Sequence, residues 1–188
     1  MKKSYLIEIL LVVIVSFFGC KEKELEQILS KVDGEQYYSD MAGEMSARKA
    51  TRLIIEDKVD QVPETFQVAI SDSLCSADSS WRKLHFEAFS RVVVNFNDQQ
   101  KEEASPGVFI FLMHYPQLFI EQVSSLSLEK SDCFLELIAM EVNRHTGNQQ
   151  ITENSIINLA IEHCQDCSQK NKDFLVQYIR LADKLIIE

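Results

Sequence analysis

Trp81, Leu84, His85, Ala88, Phe89, Val92, Val93 and Phe96 hold the spacing i, i+3, i+4, i+7 through four turns. That spacing puts all of them on one face of an α-helix and leaves the polar residues to the other. A stripe so wide must be covered by further elements of the same chain. With 5 Gly and 3 Pro in 188 residues, there is little material for the tight turns of an all-β protein. The expected class is therefore all-α.

Further helices follow from the pattern along the chain. Leu25, Ile28, Leu29 and Val32 predict a short first helix that Asp33-Gly34 stops. A helical pattern runs from about Asp40 to Lys58, where Glu44, Arg48, Arg52 and Glu56 stand four apart as an ion-pair ladder on a solvated face. Pro63, at a first helical position, opens a helix with Phe66, Ile70 and Leu74. Ser79 or Ser80 is the expected cap of the Trp81 helix.

Asn97 to Ser105 is polar and reads as a loop. The apolar run Val108 to Met113 is assigned to helix, because no partner strand is evident. Pro116 forces a break and opens a helix with Phe119, Val123 and Leu126. Ser131 is the expected cap of the next, which carries Leu135, Ile138, Ala139 and Val142 and ends near Gly147. Thr152 caps one with Ile156, Ile157, Ala160, Ile161 and Cys164, and the last carries Phe174, Leu175, Tyr178, Ile179, Ala182, Leu185 and Ile186.

The expected architecture is a single helical domain over residues 36–188, with seven or eight amphipathic helices in an irregular bundle. The alternative is a short α-α solenoid, because Pro-x-x-Phe opens a helix at both Pro63/Phe66 and Pro116/Phe119. Two copies do not make a period.

The first twenty residues are of another kind. Lys2 and Lys3 precede an apolar run from Ile9 to Phe18, interrupted only by Ser16, and Gly19-Cys20 leads into Lys21-Glu22-Lys23-Glu24. A basic head and a short apolar core make a secretory signal peptide. The run is too short for a bilayer core, which takes about 20 residues. Its ending, Phe17-Phe18-Gly19-Cys20, resembles the lipobox of bacterial lipoproteins.

The resemblance implies that residues 1–19 are removed and that Cys20 carries diacylglycerol and an N-acyl chain. Residues 20–35 would then be a lipidated tether followed by the short first helix. One acyl chain holds a protein only marginally, at roughly 0.8 kcal/mol per buried CH₂, so two or three chains on one residue make a stable anchor. Lys21 stands where the inner-membrane retention signal of such lipoproteins has Asp. The resemblance therefore points to the outer membrane, on its periplasmic or its surface face. The charged run after Cys20 is similar to the surface-export tether of some Gram-negative lipoproteins.

A formal net charge of −10 at pH 7 disfavours nucleic acid, which calls for a basic footprint. It also disfavours adhesion to anionic lipid by charge. The acid is spread along the chain, as solubility requires.

The chemically suggestive cluster is His163-Cys164-Gln165-Asp166-Cys167. A Cys-x-x-Cys can be a redox centre, half of a zinc site or a local disulfide. Reactive pairs of this kind sit at helix N-termini, where the dipole lowers the thiol pKa. This one lies at the end of the Thr152 helix. Zinc would want four ligands, and no second Cys-x-x-Cys or spaced His pair is present. Thiols pair outside the cytoplasm, and the four cysteines other than Cys20 allow three pairings. Cys164–Cys167 with Cys75–Cys133 is preferred, since residues three apart on a helix are close enough to bridge; in an envelope that is not oxidising all four would be free.

Glu141 and His145, four apart, and His163 are the candidates for acid–base or metal chemistry, although the place of Glu141 and His145 near a helix C-terminus favours a plain surface hydrogen bond. His85, on the apolar stripe, reads as a hydrogen-bonded core histidine. Trp81, Tyr37, Tyr38 and Tyr115 are candidate ligand-facing aromatics. Nothing matches a serine nucleophile elbow, HExxH, a phosphate-binding glycine loop or an EF-hand. The expectation is a non-enzymatic, lipid-anchored envelope protein without a cofactor. It would bind another protein, as an accessory subunit or an inhibitor of immunity type. The alternative is an envelope protein that binds a small molecule or glycan.

Overall fold

Asn97 caps a 17-residue helix rather than beginning a loop. Its side chain accepts from Gln100 N at 3.0 Å, and Gln100 Oε1 accepts from Asn97 N at 2.9 Å, a reciprocal cap that starts a helix where polarity suggested irregular chain. The computed structural model describes residues 45–147 and 151–185. The signal-peptide segment, Cys20, the tether and its short helix, Tyr37, Tyr38 and the first part of the Asp40–Lys58 pattern lie outside the described residues.

Among the described residues eight α-helices follow one another: α1 Ala47–Ile55, α2 Glu64–Ala69, α3 Ser79–Val92, α4 Asp98–His114, α5 Pro116–Val123, α6 Leu128–Thr146, α7 Glu153–Glu162 and α8 Gln169–Lys184. Single 3₁₀ stretches stand at Val59–Gln61, Ser71–Cys75 and Val93–Asn95. Among the described residues there is no strand, and no helix is long and apolar enough to cross a membrane. The architecture is an all-helical bundle.

Several ends differ from expectation, each for a local reason. Asp78, not Ser79 or Ser80, caps α3, accepting from Ser80 N and Trp81 N at 2.8 and 3.3 Å; its carboxylate is a charged acceptor that a hydroxyl cannot match. α6 starts one turn earlier than Ser131, with Ser127 in the extended cap conformation. The Pro63 helix is α-helical only to Ala69, and Ile70 leads into the 3₁₀ stretch Ser71–Cys75. Pro116 opens α5 as expected, and Thr152 caps α7.

α4 packs against the 3₁₀ stretch Ser71–Cys75 and against α6; α6 packs against α8, α1 against α3, and α7 against α8. At the centre Phe86, Phe89, Phe111, Phe119 and Phe134 are each at most 4% exposed. Their rings meet in stacked, tilted and edge-to-face pairs, with centroids 5.0 to 6.4 Å apart.

Pro106 lies inside α4 rather than before it. It cannot donate to the Glu102 carbonyl one turn back. The Ser105 hydroxyl stands 3.1 Å from that oxygen and 2.6 Å from Glu141 Oε1, so one proton serves two acceptors. Gly107, one turn into the packed half, has no side chain because Ser71 occupies the space.

Arg48 and Arg52 do not stand on a freely solvated ladder. The Arg48 guanidinium lies 4.8 Å from the centroid of the Trp81 ring, and both side chains are half-buried. Helix α3 comes to rest against α1, which turns the supposed outer face inward.

Candidate functional site

Four segments meet where α4 ends. Pro116 prevents α4 from continuing, and Tyr115 turns the chain at φ −133° into α5. The last turn of α4 leaves carbonyls without helical partners, and the Met113 carbonyl accepts a hydrogen bond from His163 Nδ1 at 2.7 Å. His163 is the C-cap of α7, so this bond ties the ends of α4 and α7 together. His114 and His163 bring their rings to 5.7 Å between centroids. Arg82, from the first turn of α3, completes the wall.

These segments enclose a cleft of about 340 Å³, lined by Arg82, His114, Tyr115, Pro116, Gln117, Leu118, Glu121, His163, Asp166 and the Cys164–Cys167 pair. Its walls are mainly polar and charged. The Arg82 guanidinium is fixed from two sides. Its Nε donates to Ser76 O at 3.0 Å, and its plane lies 3.8 Å from the centroid of the Tyr115 ring. Gln117 Nε2 donates to Glu121 Oε1 at 2.9 Å along α5. Because the Met113 oxygen can only accept, His163 Nδ1 is the donor of that bond.

Cys164 and Cys167 are joined in a disulfide with a Cα–Cα separation of 5.1 Å. They sit in the turn after α7, at the negative end of its dipole, which does not favour a thiolate. Cys75 and Cys133 are both free, which corrects the expected Cys75–Cys133 bridge. Cys75 ends the 3₁₀ stretch beside Arg82, whereas Cys133 lies on α6 beside Lys101. Burial raises both thiol pKa values, opposed by Arg82 at Cys75 and by Lys101 at Cys133, where Glu136, Glu129 and Asp132 add to the rise.

Trp81 is not ligand-facing. It is 2% exposed, packed between Arg48 and the His85 ring 5.5 Å away. Tyr115 does line the cleft, with one ring face covered by Arg82. His85 is 2% exposed and shares a 2.7 Å hydrogen bond with Thr51 Oγ1. Burial, reinforced by the Arg48 charge and opposed by Asp78, lowers its pKa to about 4.

Glu141 is not the surface group that its place near a helix end suggested. It is 3% exposed and accepts from Ser105 and from Arg144 through Oε1. His145 Nε2 stands 3.7 Å from its other oxygen, and the His145 ring leans on Phe109 at 5.3 Å. Neither residue lines the cleft that holds His163, so the three candidates do not form one site.

Arg82, His114, Gln117, Leu118 and Glu121 are the cleft residues that sequence reasoning missed. The break at His114-Tyr115-Pro116 was legible, but nothing local tells a wall residue from an ordinary exposed one. No group of three or more His, Cys, Asp or Glu suited to a metal ion occurs among the described residues. Comparison with protein-family models, with curated proteins and with solved structures finds no match for this chain.

Proposed function

We propose that this chain is a lipid-anchored protein of the cell envelope that works by holding a partner protein and not by catalysis. The membrane part of the reading rests on the resemblance of Phe17-Phe18-Gly19-Cys20 to a lipobox, with Lys21 directing it to the outer membrane. The binding part rests on one structural observation. Ile110, Leu128, Ile151, Leu159 and Leu181 are 40–79% exposed on the outer faces or openings of α4, α6, α7 and α8. Leu159 and Leu181 stand on α7 and α8, which pack against each other, and exposed apolar side chains on adjoining helices suit a protein interface better than a sugar or a metabolite. Trp81 and Tyr115, which an aromatic ligand platform would need free, are occupied by Arg48 and Arg82.

The test is light crosslinking and recovery of the full-length protein from its own membrane, beside a Leu159→Glu/Leu181→Glu variant and a Cys20→Ser variant. The expected result is one partner at near-equal stoichiometry, lost from the charged variant. Intact mass should show lipid on Cys20 and none on the serine variant. Recovery of the protein alone, or a partner that the charged variant retains, argues against the proposal.

A further inference from the structure

Arg82 is held unlike the chain's other described arginines that form ion pairs. Arg91, Arg144 and Arg180 each reach an Asp or Glu oxygen within 3.3 Å. Among the described residues no carboxylate pairs with Arg82, although the chain has 29 Asp and Glu against 19 Lys and Arg. A backbone carbonyl takes its Nε and the Tyr115 ring covers one face. The half-buried guanidinium is therefore already ordered, with its two terminal nitrogens left for a planar anion. Groups fixed before binding lose little entropy when a ligand arrives.

The rest of the cleft narrows the ligand. The opening turn of α5, with no side-chain cap at Tyr115, adds the positive end of a helix beside Arg82. Glu121 and Asp166 line the same space and would repel a phosphate or sulfate dianion. They suit an ammonium instead. His163, its Nδ1 held by Met113 O, lines the same space. At about 340 Å³, the cleft lies at the small end of ligand sites, which run from roughly 300 to 1,000 Å³.

We propose that this cleft binds a zwitterion the size of an amino acid or dipeptide, with its carboxylate on Arg82 and its ammonium toward Glu121 and Asp166. The site is separate from the exposed apolar residues assigned to a protein partner, so either assignment can fail without the other.

The experiment is a calorimetric titration of the full-length protein in detergent, followed in parallel by ¹H–¹⁵N NMR of the Arg82 Nε–H and the histidine rings. The probes are alanyl-alanine, its C-terminal amide, its N-acetyl derivative and inorganic phosphate. Alanyl-alanine should bind saturably and move the Arg82 and His163 signals. The amide and the N-acetyl derivative should each bind at least roughly tenfold more weakly, the loss of one charge-assisted contact.

Arg82→Gln should abolish binding. Because Arg82 also holds Ser76 O and Tyr115, the Glu121→Gln/Asp166→Asn variant is read beside it. That variant should weaken alanyl-alanine and leave the N-acetyl derivative unchanged. Equal binding of alanyl-alanine and its amide, binding of phosphate alone, or no signal change at tens of millimolar dipeptide would each overturn the proposal.

Discussion

Gly107 of α4 lies so close to Ser71 that a Cβ added to the glycine would stand 2.6 Å from the Ser71 carbonyl carbon. The neighbouring atoms are backbone, which cannot swing aside as a flexible side chain would. Gly107→Ala should therefore push the Ser71–Cys75 stretch off α4 and cost about 1–3 kcal/mol. Urea denaturation of the two proteins measures it. An alanine variant as stable as the parent would show that this contact is loose.

His85 should make stability fall in mild acid. Its folded pKa of about 4 lies below the roughly 6.5 of an unfolded histidine. Between those values the unfolded chain takes up a proton that the folded one refuses. The stability from neutral His85 is thus present above about pH 6.5 and is lost as pH falls toward 4, on the order of 3 kcal/mol in all. Carboxylates also respond to acid, so the measurement is a difference. Denaturant midpoints from pH 7 to pH 4.5 should fall more steeply for the parent than for His85→Gln, and parallel curves would exclude the effect.

The pair Ser105–Glu141 should act as a unit. Ser105→Ala removes a 2.6 Å bond to a buried carboxylate and should cost about 1.5–3 kcal/mol. Glu141→Leu removes the charge that needs the bond, while Arg144, which is partly exposed, can turn to water or to Glu102. The double variant should therefore lose less than the sum of the two singles, by about 1 kcal/mol or more. A double-mutant cycle from denaturation curves decides it.

The disulfide should be a modest staple. Closing so short a loop as Cys164–Cys167 restricts the unfolded chain by about 2 kcal/mol. Reduction should lower the denaturation midpoint accordingly, with no change of helix content by circular dichroism. Peptide mapping after alkylation of the unreduced, denatured protein should find Cys75 and Cys133 labelled and the other two protected. In the folded protein the same two thiols should react slowly, since burial raises both pKa values.

Much of the architecture was readable along the chain because it follows from spacing. The stripe from Trp81 to Phe96 became α3 with its 3₁₀ extension, and Pro116 divided α4 from α5. Thr152 capped α7 by the chemistry its residue type predicts. Local rules failed where two local signals competed. At Asn97 a capping pair outweighed a polar composition, and at Pro106 a helix already under way tolerated a residue that ordinarily ends one. His85 was recognisable as a core histidine from its place on the stripe, whereas Glu141 was not recognisable as buried, because proximity to a helix end says nothing about what packs over it.

The sequence by itself determined the helical class, the amphipathic faces, the main breaks and the excess of acid, since each depends on residues within a few positions of one another. Only the tertiary structure decided that Arg82, Tyr115, Glu121 and His163 share one cleft and that Cys75 and Cys133 remain apart as free thiols. Those relations join residues tens of positions apart. They are set by how helices settle against each other, as when His163 closes on the Met113 carbonyl, and no local periodicity carries that information.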